Sequence, residues 1–385
     1  MTKPRGDAIA PFYAMEVLKA ANRREAAGAR IIHMELGEPG GGPPPQVLEA
    51  AAKALRDRPL GYTEALGIRP LREKIAASYW ETNNISIDPD RVVVTTGSSG
   101  GFLLAFLAAF GDGAALGLAE PGYPAYRNIA AALGFRPIGI ATGPATRFQP
   151  APDLLDAVHA ATPLAGLLVA SPANPTGTMI ARAGLAGLVA WCERAGVRLV
   201  SDEVYHGIAY GAPAVSAAAL SDRAIVVNSF SKYFAMTGWR IGWMVLPPDL
   251  VRPVERLAQN LFIAAPSLAQ YAALAAFDAR GFLDAKVAGY ARNRARLLAA
   301  LPALGFGELA PADGAFYVYA DVTNLTSDSA AFCRAMLEEA GVATTPGIDF
   351  DPHRGSQYLR FAFAGAEDGV AEAIQRLTEW RSRAG

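Results

Sequence analysis

What most limits the folds open to this chain is an alternation that runs from residue 92 to residue 227. Residues 92–95, 114–119, 137–141, 165–170, 197–201 and 224–227 are short apolar runs of the kind that form buried strands. Between them, residues 102–110, 123–133, 153–160 and 182–194 carry the period of helices. Strands alternating with helices predict an α/β domain whose mainly parallel sheet is covered by helices on both faces. Ligands of such sheets bind beyond the carboxyl ends of the strands, so chemistry is expected in the residues that follow each run.

The flanks predict a second, smaller α+β domain. A helix begins irregularly at Pro11 with Met15, Val17, Leu18 and Ala21 toward the core, and residues 31–36 read as a short strand. The GGGPPP cluster at 40–45 reads as a crossover, a helix follows at 46–55, and a long helix runs from about Phe282 to Leu304. The expected division is residues 1–40 with the small domain, 41–280 as the large domain, and 281–385 as linking helix and small domain. With 385 residues, 52% of them hydrophobic, the chain can bury two sizeable cores. A net charge of −1 gives no electrostatic case for nucleic acid or an anionic membrane as partner. The longest uncharged apolar run, 100–111, is too short to span a bilayer, and the first residues lack a signal-peptide core. Cys192 and Cys333 have no metal-ligand spacing. A soluble protein of the reducing cytoplasm is expected.

The stretch richest in chemistry is residues 226–243, VVNSFSKYFAMTGWRIGW. It places Ser229, Lys232 and Arg240 between two expected strands. A lysine held in apolar surroundings has its pKa lowered, because burial disfavours the charged form, and can then attack carbonyls. Ser229 and Arg240 could grip a phosphate. Together they suggest a phosphorylated aldehyde held as a Schiff base, the arrangement of pyridoxal 5'-phosphate. Taken alone the stretch also fits a surface lysine whose stem lies on aromatic neighbours, with ordinary turn residues around it.

SFSKYFAMTGWRIGW resembles the cofactor-lysine segment of fold-type I, class I/II aminotransferases. Further matching segments stand in the family order: IAPFYAMEV, ELGEPG, YTEALG, SPANPTG, SDEVYHG and YLRFAF, which spread the resemblance over nearly the whole chain. It implies pyridoxal phosphate as cofactor, with Lys232 as Schiff-base lysine and proton shuttle. Asp202 would lie beneath the ring nitrogen, where a carboxylate keeps that nitrogen protonated and the ring an electron sink. Tyr205 and Asn174 would donate to the ring's phenolate oxygen, and Tyr123 would stack on the ring. In TTGSSGGF, Ser98 and Ser99 open a helix and, with Ser229 and Arg240, would form the phosphate cup. Arg360 would bind the substrate α-carboxylate, with Asn174 beside it and Gly37 letting backbone approach. Tyr62 would reach the phosphate of a neighbouring subunit, which implies a homodimer with shared active sites. Without the resemblance, Asp202 ends a strand, SPANPTG is a loop, Tyr123 packs in a proline turn, and Arg360 makes a surface ion pair.

The implied reaction transfers an amino group from an amino acid to a 2-oxo acid. A carbon–sulfur β-lyase of the same fold is the alternative enzyme, because its motifs are the same. A pyridoxal-binding regulator would need a DNA-binding module, and the expected core starts within about ten residues of Met1, leaving no room for one. Residues 259–267, QNLFIAAPS, carry no cation, and Ile9, Pro11, Phe12 and Tyr13 are apolar or aromatic. A buried distal carboxylate would need a charge partner, so neutral apolar or aromatic donors are expected over aspartate. The four histidines, at 33, 159, 206 and 353, lack ligand spacing and read as structural, with His206 nearest the site. Asp351 stands after Phe350 in PGIDF where relatives often have glycine, which bears on the charge of the substrate entrance.

Overall fold

In the computed structural model, which describes residues 5–384, seven strands form the main sheet. Their order across it is Val92–Thr95, Gly242–Val245, Ile225–Ser229, Arg198–Asp202, Gly166–Ala170, Ala115–Glu120 and Arg136–Ala141. Gly242–Val245 runs antiparallel to both neighbours, and the other pairings are parallel. Successive strand residues point to opposite faces, and each face has its own core. Leu167, Val169, Leu199 and Val226 pack with Leu71, Ile75 and Trp191 on one side. On the other, Leu168, Val200, Ile225 and Val227 pack with Phe102, Phe106 and Tyr126. Burial on both sides is why these strands read as continuous apolar runs.

A second, antiparallel sheet orders Thr345–Pro346, Tyr358–Ala362 and Tyr317–Asp321, and centres a third core that includes Phe316, Val318, Leu359 and Phe361. Ile32–His33 pairs in parallel with Val342–Ala343, so the beginning of the chain packs with its end. The helix expected at 282–304 is Arg280–Ala300, followed by a tight turn at Pro302–Leu304. Proline lacks the N–H that would continue the helix. The helix expected from Phe102 starts at Gly97, and that expected from Gln46 starts at Pro45, where proline suits a first helical position.

Two expectations are corrected. The strand read at 31–36 is only Ile32–His33, because Leu36 and Gly37 leave the sheet for the site described below. Met15 does not face the core: it is 47% exposed, while Ala14 and Ala21 are buried. Small residues at that spacing let the helix Tyr13–Ala26 sit close to the body, and Met15 lies one helical step away from their stripe. Cys192 and Cys333 are buried and free. Among the described residues, no helix is long and apolar enough to cross a membrane.

Candidate active site

The sheet register gathers the chemistry at one edge. Asp202 ends its strand opposite Ala170 and Val227, and Ser229 ends its own opposite Gly242. From those ends the chain supplies Asn174, Lys232, Arg240 and the helix that opens at Gly97, all on the carboxyl side.

Lys232 leaves the strand end and donates from Nζ to the carbonyl of Gly37, 2.6 Å away. Burial of the amine, then the nearby Arg360 guanidinium, pulls its pKa down from 10.5 to about 8, with Glu38 opposing. Glycine is required at 37, because a Cβ there would lie 1.7 Å from the Tyr317 hydroxyl.

Asp202 is 6% exposed. Its carboxylate accepts from the Tyr126 hydroxyl and from the Val204 N–H at 2.9 Å. Burial raises it to about 6 against those two hydrogen bonds, so it is a carboxylate that still lacks a full cationic partner. Above this edge, the Tyr205 hydroxyl shares a 2.6 Å hydrogen bond with that of Tyr317. Tyr123 stands edge-on to Tyr126 at 5.3 Å and to Phe12 at 5.8 Å.

Arg360 is 2% exposed. It donates to Asn174 Oδ1 at 2.8 Å, to the Glu35 carbonyl and to Thr345 Oγ1 at 3.2 Å. Its guanidinium also lies 4.5 Å from the Tyr317 ring and 4.8 Å from the Phe350 ring. Its Nε has no hydrogen-bond partner among the described residues. Asn174 thus turns its oxygen toward Arg360 and leaves its amide N–H groups as donors.

The helix Gly97–Ala109 has no side-chain cap, so its first N–H groups have neither an intrahelical partner nor a capping side chain. Gly97, at φ +74°, has the Arg240 guanidinium where a side chain would be, 2.6 Å from an ideal Cβ. Arg240 itself sits in the left-handed region at φ +51° and donates to the Thr237 carbonyl at 2.7 Å. Ser229 is buried and bonds Ser231 Oγ at 2.9 Å. Ser98 is half-buried and Ser99 exposed at this helix start. A cleft of about 870 Å³ flanks the site, lined by Leu36, Glu38, Thr237, Trp239 and Pro266.

Most site residues read from the sequence therefore meet in one place. Tyr62 is the exception: it is 85% exposed on its own chain. Asp351 differs from expectation, since it is buried, caps the N–H groups of His353 and Arg354 at 2.9 Å, and pairs with the Arg354 side chain. It adds no free charge to the entrance. Two residues were not anticipated. Tyr126 lies three positions after Tyr123 on one helical face, a spacing that could have suggested it. Tyr317 comes from the small sheet, where no local pattern links it to Tyr205. His206 sits behind the site, bonded to the Ser171 carbonyl at 3.1 Å.

The arrangement fits a phosphorylated pyridoxal on its own features. It has an amine of lowered pKa, a buried carboxylate short of a cation, an uncapped helix start beside an arginine, and a buried guanidinium with a free donor. Comparison with known proteins bears on the reaction class. The family model described as Aminotransferase class I and II matches residues 29–377. The chain is 50% identical to a valine–pyruvate aminotransferase of Mycobacterium tuberculosis, over 97% of this chain and 96% of the relative. It is 31% identical to a (5-formylfuran-3-yl)methyl phosphate transaminase of Methanocaldococcus jannaschii, over 97% of each. A crystal structure of an aminotransferase from Mycobacterium tuberculosis superimposes with a TM-score of 0.96 at 49% identity, covering 100% of this chain and 99% of the other. The aspartate aminotransferase of Thermus thermophilus with maleate gives 0.92 at 29% identity, covering 98% and 99%. With a family model matching residues 29–377 and a half-identical aminotransferase relative covering nearly the whole chain, the chain belongs to the class I and II aminotransferases.

Proposed function

We propose that this aminotransferase uses pyridoxal 5'-phosphate held by Lys232, and takes neutral apolar or aromatic amino acids as donors, with pyruvate as an acceptor. The observation that carries the reading is the convergence of Lys232 Nζ, of lowered pKa, with Asp202 and the Arg360 donor at one sheet edge. When bound, the cofactor supplies an aldehyde for amine exchange and a ring that takes up the electron pair left at the donor's Cα. The protein does the rest. Lys232 Nζ, neutral in useful amount near pH 8, takes the α-proton and returns one. Asp202 keeps a proton on the ring nitrogen, and Tyr126 keeps Asp202 oriented. Asn174 and Tyr205 would donate to the cofactor's phenolate oxygen, and Tyr123 would pack against its ring. Ser229, Arg240, Ser98, Ser99 and the open helix start hold the phosphate. Arg360 grips the α-carboxylate, with Asn174 and the Gly37 backbone beside it.

Donor preference rests on what surrounds the side-chain end. Phe12, Tyr123 and Phe350 are aromatic, and residues 259–267 hold no cation. Arg127 is committed to the carbonyls of Asp349 and Phe350. The half-identical relative is named for valine and pyruvate, and the transaminase relatives favour amino transfer over carbon–sulfur elimination. Exposure of Tyr62 at 85%, Leu55 at 60% and Leu48 at 52% supports a homodimer in which Tyr62 completes the neighbour's site. Pairing of Ile32–His33 with Val342–Ala343 supports grouping residues 1–40 with 281–385 and leaving 41–280 as the large domain. Two free, buried cysteines fit a reducing cytoplasm.

The test is kcat/KM for valine, leucine, methionine, phenylalanine, alanine and aspartate with pyruvate, with ammonia release followed when no acceptor is present. Valine or another apolar donor should lead. Aspartate in first place would overturn the donor assignment, and ammonia without an acceptor would restore the lyase.

A further inference from the structure

The helix Tyr13–Ala26 carries no cap of its own, since Phe12 precedes it and offers no side-chain acceptor. Its cap comes from 336 residues away: Asp349 accepts from the Tyr13 N–H at 3.1 Å through Oδ1 and from the Ala14 N–H at 3.2 Å through Oδ2. Asp349 is 1% exposed. A carboxylate buried that fully is costly unless matched, and here the helix N-terminus matches it first, then the nearby guanidinium charges of Arg360 and Arg127. Burial still holds its pKa above the ordinary 3.8.

The same loop touches the other walls of the site. Arg127 donates to the carbonyls of Asp349 and Phe350, and the Gly122 N–H donates to Phe350 at 3.0 Å. Phe350 in turn lies against the Arg360 guanidinium. On the capped side, Phe12 ends edge-on to Tyr123. The loop therefore joins the carboxylate grip, the expected ring-stacking tyrosine and the N-terminal segment.

We propose that Asp349 is a positioning residue that pins the N-terminal segment in place as a wall of the amino-acid side-chain pocket. The inference rests on the reading of Arg360 and Tyr123 given above. Arg360 loses the field of the carboxylate but keeps its place, because its hydrogen bonds go to Asn174, the Glu35 carbonyl and Thr345 and Phe350 is held through its backbone. Loss of Asp349 thus loosens side-chain recognition and spares the carboxylate grip and the chemistry at Lys232.

The test uses the holoenzyme with Asp349→Ala and Asp349→Asn. Hydrogen exchange of a peptide spanning residues 9–18 should quicken by about 5- to 10-fold in the alanine variant, the usual scale for a lost helix cap. The asparagine variant keeps one acceptor and should fall between, and it decides the matter if the alanine variant folds poorly. The helix Gly97–Ala109 should exchange as before. KM for valine should rise by about the same factor with kcat within about 3-fold, and KM for alanine, whose side chain is one methyl, should move less. Unchanged exchange at 9–18, a loss confined to kcat, or equal losses for valine and alanine would overturn the proposal. A wild type that transaminates no amino acid would instead defeat the functional reading, and the exchange result would stand apart from it.

Discussion

Replacing Tyr126 with phenylalanine removes one hydroxyl from the surroundings of Asp202 and leaves the ring packing in place. The ring stays against Phe102 at 5.2 Å and Tyr123 at 5.3 Å, so the fold should hold. What goes is the hydrogen bond that favours the ionised form of Asp202. A hydrogen bond to a charged group is worth about 1.5–3 kcal/mol. At about 1.4 kcal/mol per pKa unit, that is a rise of roughly 1–2 units. Asp202 stands at about 6, so the variant carboxyl should titrate at roughly 7–8. The ionised form is the one that holds a protonated ring nitrogen, and it is lost as pH falls through the folded-state pKa. Apo-protein affinity for pyridoxal phosphate, titrated by absorbance from pH 5 to 9, reads this directly. The variant should bind about 2- to 10-fold more weakly at pH 7, and the two proteins should converge by about pH 9. A gap that does not change with pH would refute the reasoning and reduce Tyr126 to a packing residue.

Other outcomes follow from the same geometry. Arg360→Lys replaces a fork by a point charge, so kcat/KM should fall about 10- to 100-fold, and in parallel for every amino donor because all share the α-carboxylate. A loss confined to one donor would place Arg360 at the side chain instead. With Lys232 at about 8, capture of pyridoxal phosphate by the apo-protein should quicken as the neutral amine appears. Measured by stopped flow, the rate should gain about 10-fold between pH 7 and pH 9 and then level, whereas an ordinary lysine would gain about 100-fold and still be climbing.

How much of this is legible in the sequence depends on how local the cause is. Asp202 and Ser229 end strands, Asn174 and Lys232 follow strand ends within a few residues, and Arg240 stands just before the next strand. These ends are marked by the apolar runs. The same runs reveal the main sheet, because strands buried on both faces cannot afford polar residues. Met15 misleads because hydrophobicity alone does not say which face of a helix packs, and here the alanines Ala14 and Ala21 do. Tyr317 and Asp349 stay hidden for a different reason. Each acts on a partner more than 100 residues away, Tyr205 and the amides of residues 13 and 14, and no local pattern records such a meeting. The Asp351 carboxylate reads as a charge at the entrance until the fold shows it bonded within its own turn.

The most direct test of the central assignment is to reduce the purified, yellow-absorbing protein with borohydride and map the modified peptide by mass spectrometry. The pyridoxyl mass should sit on Lys232 in stoichiometric amount, and Lys232→Ala should carry none while still folding. A label on any other lysine, or none at all on an active enzyme, would contradict the assignment of Lys232 as the residue that holds the cofactor.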